Sequence, residues 1–211
     1  MPSGISAQGS TLQISSGSGA AKVITAISPG NPTIVTSAAH GLNNGDVVLL
    51  AGIVGTLSAL NGSKRVVSNK TAGTFALLDF DSTGMTYTSG GTATPETYTK
   101  ISGVTSFDGF DGSADELDTT DLDSTAKEYI SGLKDEGKFG FEAKVLKADA
   151  GQQALRAARN SGAIVGMKLT LPDTSVATFS VLVKTMPASG GVNSVLKGKI
   201  DTKISGPVVW S

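Results

Sequence analysis

The clearest alternation of apolar and polar positions is in KFGFEAKVL (138–146). Phe139, Phe141, Ala143 and Val145 fall on one face, and Lys138, Glu142 and Lys144 on the other. That period of two predicts a strand with one buried and one wet side. AIVGMKLTL (163–171), VATFSVLVK (176–184) and VLKGKIDTKIS (195–205) follow the same logic less strictly. The period changes once, in ADAGQQALRAARNSG (148–162), where Ala150, Ala154, Leu155 and Ala158 form a helical stripe. A helix over about 149–160 is predicted. Asp149 would be its cap and Gln152 a capping-box variant, with Arg156 and Arg159 near the negative end and Gly162 as the stop.

The N-terminal half has another texture. KVITAIS (22–28) is closed by PGNP, and TIVTS (33–37) by AAHGLNNG. DVVLLAGI, KRVVSNKTAG, TFALLDFDSTG and MTYTSGG follow as further short strands. Turn signals recur about every 8–12 residues, as in a small sandwich or barrel. SSGSGAA (15–21) and TSGGTATP (88–95) read as flexible junctions. GSTLQISSG (9–17) reads as a strand that belongs with the C-terminal half. A discontinuous domain of residues 1–19 and 96–211, carrying an inserted domain of residues 20–95, accounts for this order.

Charge sharpens the division. Residues 1–95 carry seven charges, Lys22, Asp46, Lys64, Arg65, Lys70, Asp79 and Asp81, and the remaining 28 lie in 96–211. The 27 glycines supply the positive-φ turns that short strands need. The expected fold is mainly β: a β-sandwich or half-barrel with one packed helix, plus an inserted all-β barrel. A formal net charge of −1 gives no long-range steering toward nucleic acid or anionic membrane. Zero cysteines exclude disulfides, thiolate catalysis and cysteine-ligated zinc. MPSGISAQGS has neither basic residues nor an apolar segment, so no secretion signal is expected. VVLLAGIVG (47–55) is far below the roughly 20 residues of a membrane helix.

Few motifs carry chemistry. Gly132, Gly137 and Lys138 have the G-x-x-x-x-G-K spacing of a phosphate loop, but Phe139 replaces the magnesium-binding hydroxyl and a strand follows instead of a helix. DFDSTG (79–84) opens like a calcium loop and ends on Gly90 at the twelfth position, without the bidentate glutamate. DLDSTA (121–126) lacks the sixth-position glycine. His40 sits among turn residues and reads as a turn hydrogen-bonder, and Trp210 as a packing anchor. No G-x-S-x-G elbow is present. No catalytic, cofactor or metal residues are assigned, and no enzyme is expected. Seven carboxylates stand between Asp108 and Asp123 with no cation among them.

ADELDTTDLDSTAKEYISGLKDEGKFGFE (114–142), the helix GQQALRAARNSG and the closing strand NSVLKGKIDTKISGPVVW together resemble the major tail tube proteins of long, non-contractile-tailed bacteriophages. ITAISPGNPTIVTSAAHGLNNGDVVLLAGIVG and LNGSKRVVSNKTAGTFALLDFDSTG resemble small β-barrels related to a half-domain of ubiquitin-activating enzymes, which recur in phage virion proteins. The first resemblance implies a structural virion protein forming hexameric rings stacked into a tube. DNA would pass without specific binding, and the partners would be other copies, a tape-measure protein, and tail terminator and tip proteins. It implies no membrane contact, and location in the virion tail after assembly in the host cytoplasm. The insert would be an outward decoration, a candidate for weak host-surface or glycan contact. The acidic loop would contact the next ring or subunit through Asp115, Glu116, Asp118, Asp121, Asp123, Lys127, Glu128, Tyr129, Lys134 and Asp135. Its carboxylates would meet cations such as Lys127, Lys134 or Lys147 of a neighbour. The rival readings are a secreted or surface carbohydrate-binding β-protein and the inner tube of a contractile tail or secretion device.

Overall fold

The computed structural model of the protein describes residue 4 and residues 6–211. Seven strands of the C-terminal half and its N-terminal outpost form one curved antiparallel array. They are β1 (Thr11–Ser18), β8 (Thr92–Lys100), β9 (Val104–Gly109), β12 (Lys138–Lys144), β13 (Ile164–Thr170), β14 (Val176–Thr185) and β15 (Lys197–Ile204), in the order β8-β1-β13-β14-β15-β12-β9. β16 (Val209–Trp210) adds to β14. The alternation in the sequence is obeyed: Phe139, Phe141 and Ala143 of β12 are buried, with Lys138 and Lys144 exposed. β1 pairs with β13 from Thr11↔Thr170 to Ile14↔Met167, so its Leu12 and Ile14 enter the same core.

The helix, α1 (Ala150–Ser161), packs on β1, β8 and β14 through Leu155 and Ala158. Asp149 caps it by accepting from the Gln152 amide at 2.9 Å, and Gly162 ends it at φ 66°. Two details of the sequence reading change. Ala150 is exposed, and Gly151 is buried in its place against the Lys100 carbonyl, where a Cβ would collide. Gln152 does not complete a capping box. It turns inward, donating to Ser102 O (2.9 Å) and Lys144 O (2.8 Å) and accepting from the Leu146 amide (3.0 Å), and so supplies partners to three backbone groups at the edge of the core.

A second core, around Ile24, Val35, Leu50, Leu57, Phe75 and Leu77, fills the small barrel. Its strands are β2 (Lys22–Val23), β3 (Ala26–Ser28), β4 (Thr33–Thr36), β5 (Val47–Ala51), β6 (Lys64–Ser68) and β7 (Thr74–Leu77), with a short 3₁₀ turn at Thr56–Leu60. MTYTSGG (85–91), expected as a strand, is not one. Gly55, Gly90 and Gly91 all take positive φ, and the segment crosses the 3₁₀ turn through the single bridge Val54↔Ser89.

The expected flexible junctions are largely strand. Ser15–Ser18 belong to β1 and Thr92–Pro95 begin β8. β8 pairs with β5 through Thr92–Pro95 and with β1 through Glu96–Lys100, so one strand serves both cores. The chain enters and leaves the barrel at adjacent points, the Gly19 amide donating to Pro95 O at 2.7 Å. Beside this seam, Lys168 pairs with Asp46 at 3.2 Å and lies 4.9 Å over the Tyr98 ring. Glu96, 8% exposed, accepts from Lys64 (2.5 Å) and from the Tyr98 hydroxyl (2.8 Å). Burial, then the Glu96 charge and hydrogen bond and the Asp46 charge, push the Tyr98 phenol above its ordinary range, so it stays a neutral donor.

Candidate assembly surface

Residues 111–137 leave the array as a hairpin. The sequence reads residues 108–137 as an acidic loop, but Asp108 and Gly109 close β9, and Ser113–Asp118 (β10) and Tyr129–Asp135 (β11) pair with each other in a separate two-stranded sheet. Leu117↔Ile130 and Asp118↔Tyr129 hold the register, with a bulge after Ala114. Alternation over YISGLKD is hidden by charge and by Gly132, which is a strand residue facing Asp115 and not a turn.

The root of the hairpin is firmly held. Phe110 takes φ 61°, in the left-handed region that costs a bulky residue about 1–2 kcal/mol. What offsets this is its ring, set between Phe139 (5.3 Å), Phe179 (5.2 Å) and Trp210 (5.6 Å). Trp210 is thus an anchor of this root, half exposed at its rim. Asp111 accepts from the Lys138 amide at 2.9 Å, which holds its carboxyl below the ordinary range. Asp135 accepts from Lys203 Nζ at 2.5 Å and from the Gly137 amide at 2.8 Å, and is lowered by Lys203 first. Gly137, at φ 78°, packs against Asp111 and Gly112 where no Cβ fits.

Beyond the root, every β10 residue is exposed and β11 has one half-buried position, Gly132. Leu117, Ile130 and Leu133 (87% exposed) face solvent. The tip is ordered by local hydrogen bonds. Thr119 donates to Glu128 O, the Glu128 amide to Thr120 Oγ1, and the Asp123 amide and Ser124 Oγ to Asp121 Oδ1. Between Asp121 and Asp123, Leu122 is 105% exposed. The structure brings the ten expected contact residues onto this one hairpin. Asp118 pairs loosely with Lys127 (3.8 Å), and Lys127 lies 5.9 Å over the Tyr129 ring. Asp115, Glu116, Asp121, Asp123, Glu128 and Lys134 make no ion pair among the described residues.

At the far end of β12, roughly 20 Å along the strand, lies a small cleft of about 120 Å³. Ala143, Val145, Met186, Pro187 and Ile200 give it an apolar lining, and Arg156 and Arg159 of α1 rim it. Among the described residues neither arginine makes an ion pair. The loop before β15 exposes Val192 (95%), Val195 and Leu196. Sequence reasoning gave the two arginines to the helix end. The signal for more was their i, i+3 spacing, which puts both on one face. A larger groove of about 420 Å³ runs beside β9, past Leu12, Ile101, Val104, Phe107 and Leu169. β9 pairs with β12 on one side and has a free edge on the other.

His40 is a buried turn anchor. Its Nδ1 accepts from the Leu42 amide (3.0 Å), its Nε2 lies 3.3 Å from Thr74 O, and its ring meets Phe75 edge-on. Asp81 of DFDSTG caps the Thr83 amide at 2.8 Å.

Residues 83–173 match the family described as phage tail tube, TTP, lambda-like, and residues 28–96 match the ubiquitin-activating enzyme E1 FCCH domain. The two ranges overlap at the approach to β8 and its first half. No curated protein matches the chain. Among solved structures, the tail of an empty GTA particle, refined with C6 symmetry, is similar at 16% identity and a TM-score of 0.47, over 54% of this chain and 86% of that one. The 6-fold symmetrised baseplate of the anti-feeding prophage is similar at 11% identity and a TM-score of 0.43, over 55% and 84%.

Proposed function

We propose that this phage tail tube protein, a structural component of the virion tail with an E1 FCCH-type region, builds its tube by passing the 111–137 hairpin to a neighbouring copy. One observation carries the reading: a hairpin rooted in the aromatic core has both faces in water. An isolated two-stranded hairpin is marginal by itself, and apolar side chains exposed on both strands are stabilised by a partner. The free edge of β9 and its apolar groove give the same subunit a second, lateral contact, since unpaired edges are completed by neighbours in closed assemblies. Rings of six, stacked into a conduit, are the proposed assembly.

Residues 20–95 are proposed as an inserted domain on the outside of that tube. The adjacency of Gly19 and Pro95 and the separate apolar core support the insertion. DNA, a tape-measure protein, and terminator and tip proteins are the proposed partners of the assembled tube, which has no catalytic role. The subunit would assemble in the host cytoplasm before joining the virion.

Negative-stain electron microscopy of the purified chain at high concentration tests the proposal. Hollow rings or tubes from the full chain, and dispersed particles after residues 112–136 are replaced by a short glycine linker, are expected. Tubes from the shortened chain would sink the role given to the hairpin.

A further inference from the structure

The acidic hairpin and the arginine-rimmed cleft lie at opposite ends of β12, and their chemistry is complementary. Leu122 is fully exposed at the tip, with a carboxylate on either side at Asp121 and Asp123. The cleft has an apolar lining and space for about one aliphatic side chain, with a guanidinium at Arg156 and another at Arg159 on its rim. Neither the two aspartates nor the two arginines have an ionic partner among the described residues. We propose that the Asp121-Leu122-Asp123 tip of one copy seats in the cleft between α1 and the 186–188 segment of the next copy, Leu122 filling the cleft and the aspartates bridging Arg156 and Arg159.

The contact is in trans because of the geometry. The hairpin root is at Lys138 and the cleft at Ala143 and Val145, with the ladder of β12 between them. A contact between opposite ends of one subunit is heterologous and propagates as a stack. Arginine matches carboxylate in a planar fork and is itself enriched at interface hot spots, and a rim of such contacts keeps water from the apolar anchor inside it. This inference rests on the reading that the hairpin reaches a neighbouring copy, and it adds the receiving site.

The test uses the full chain and follows polymerisation by light scattering and electron microscopy, with circular dichroism of the monomer as the folding control. Leu122→Asp is expected to raise the critical concentration about ten- to a hundredfold, the equivalent of losing one buried leucine, while Leu122→Met leaves it near the parent value. Asp121→Arg/Asp123→Arg and Arg156→Asp/Arg159→Asp should each stop polymerisation alone. Mixed in equal amounts they should co-assemble, since each tip then meets an opposite rim. The chain has no cysteine, so Leu122→Cys with Ala188→Cys should yield a ladder of covalent oligomers under mild oxidant. Loss of assembly in the tip variants, with the rim variant polymerising normally and no ladder, would overturn the cleft and leave the hairpin reading standing. Normal assembly by tip and rim variants, and by the chain without the hairpin, would overturn both.

Discussion

Asp149 shows how one carboxylate serves two structures. It caps α1 through the Gln152 amide and also accepts from the Ser102 amide at 3.3 Å. Burial acts to raise its pKa, and the bonds from Ser102 and Gln152 outweigh that and hold it below the ordinary value. Because the folded value is the lower one, the cap's contribution is fully present above pH about 4, the unfolded value, and is lost as pH falls through the depressed one. Asp149→Ala is expected to cost about 1 kcal/mol and Asp149→Asn much less, read as denaturation midpoints at neutral pH. The cap and Gly162 were legible from spacing alone. Gln152 was not, since local rules offered the capping box and the carbonyls of Ser102 and Lys144 that it bonds are 50 and eight residues away. Phe110 is a similar case: its left-handed backbone follows from a ring slot assembled by Phe139, Phe179 and Trp210. Phe110→Ala should cost about 2–3 kcal/mol and speed hydrogen exchange across 111–137, whereas a change confined to global stability would argue against a root function.

The hairpin and the shared strand are where local pattern and structure diverge most. β12 was readable because one of its faces is buried and one wet, which writes a period of two into the sequence. β10 and β11 have no buried face in the monomer, so selection leaves no such period, and seven carboxylates nearby imitate a loop. On the proposed assembly, the hairpin is the element that should be most altered by it. Its amides should exchange fast in the monomer and be strongly protected in the tube, with β12 protected in both; equal protection of 111–137 in the two states would contradict the assembly role. The tip was identified correctly as acidic, but its leucine drew no attention, since exposure cannot be read from composition.

Two apolar cores joined by one strand make a molecule whose halves are separable in composition yet continuous in hydrogen bonding. The charge shift at residue 95 and the outpost strand at 11–18 were visible in the sequence. The polar seam of Asp46, Lys64, Glu96, Tyr98 and Lys168 was not, because its members are scattered over more than 120 positions. Joining Gly19 directly to Pro95 is expected to give a folded chain that still polymerises, though with lower stability from exposing the Lys168 and Tyr98 surface; insoluble monomer would argue against an inserted domain. The free protein is expected to show no gel shift with duplex DNA at physiological salt, as its carboxylates outnumber its cations by one and its tip repels phosphate.

The seam also has a mechanical meaning. β1 and β8 enter the barrel as neighbouring strands, tied at Gly19 and Pro95. A tug on the barrel along these strands therefore pulls both in the same direction, and the load falls on the ladder between β1 and β13. Those hydrogen bonds lie across the pull and resist together, where a peeling load would break them one at a time. On the proposed placement outside the tube, a module tethered in this way would take drag without unravelling the subunit that carries it.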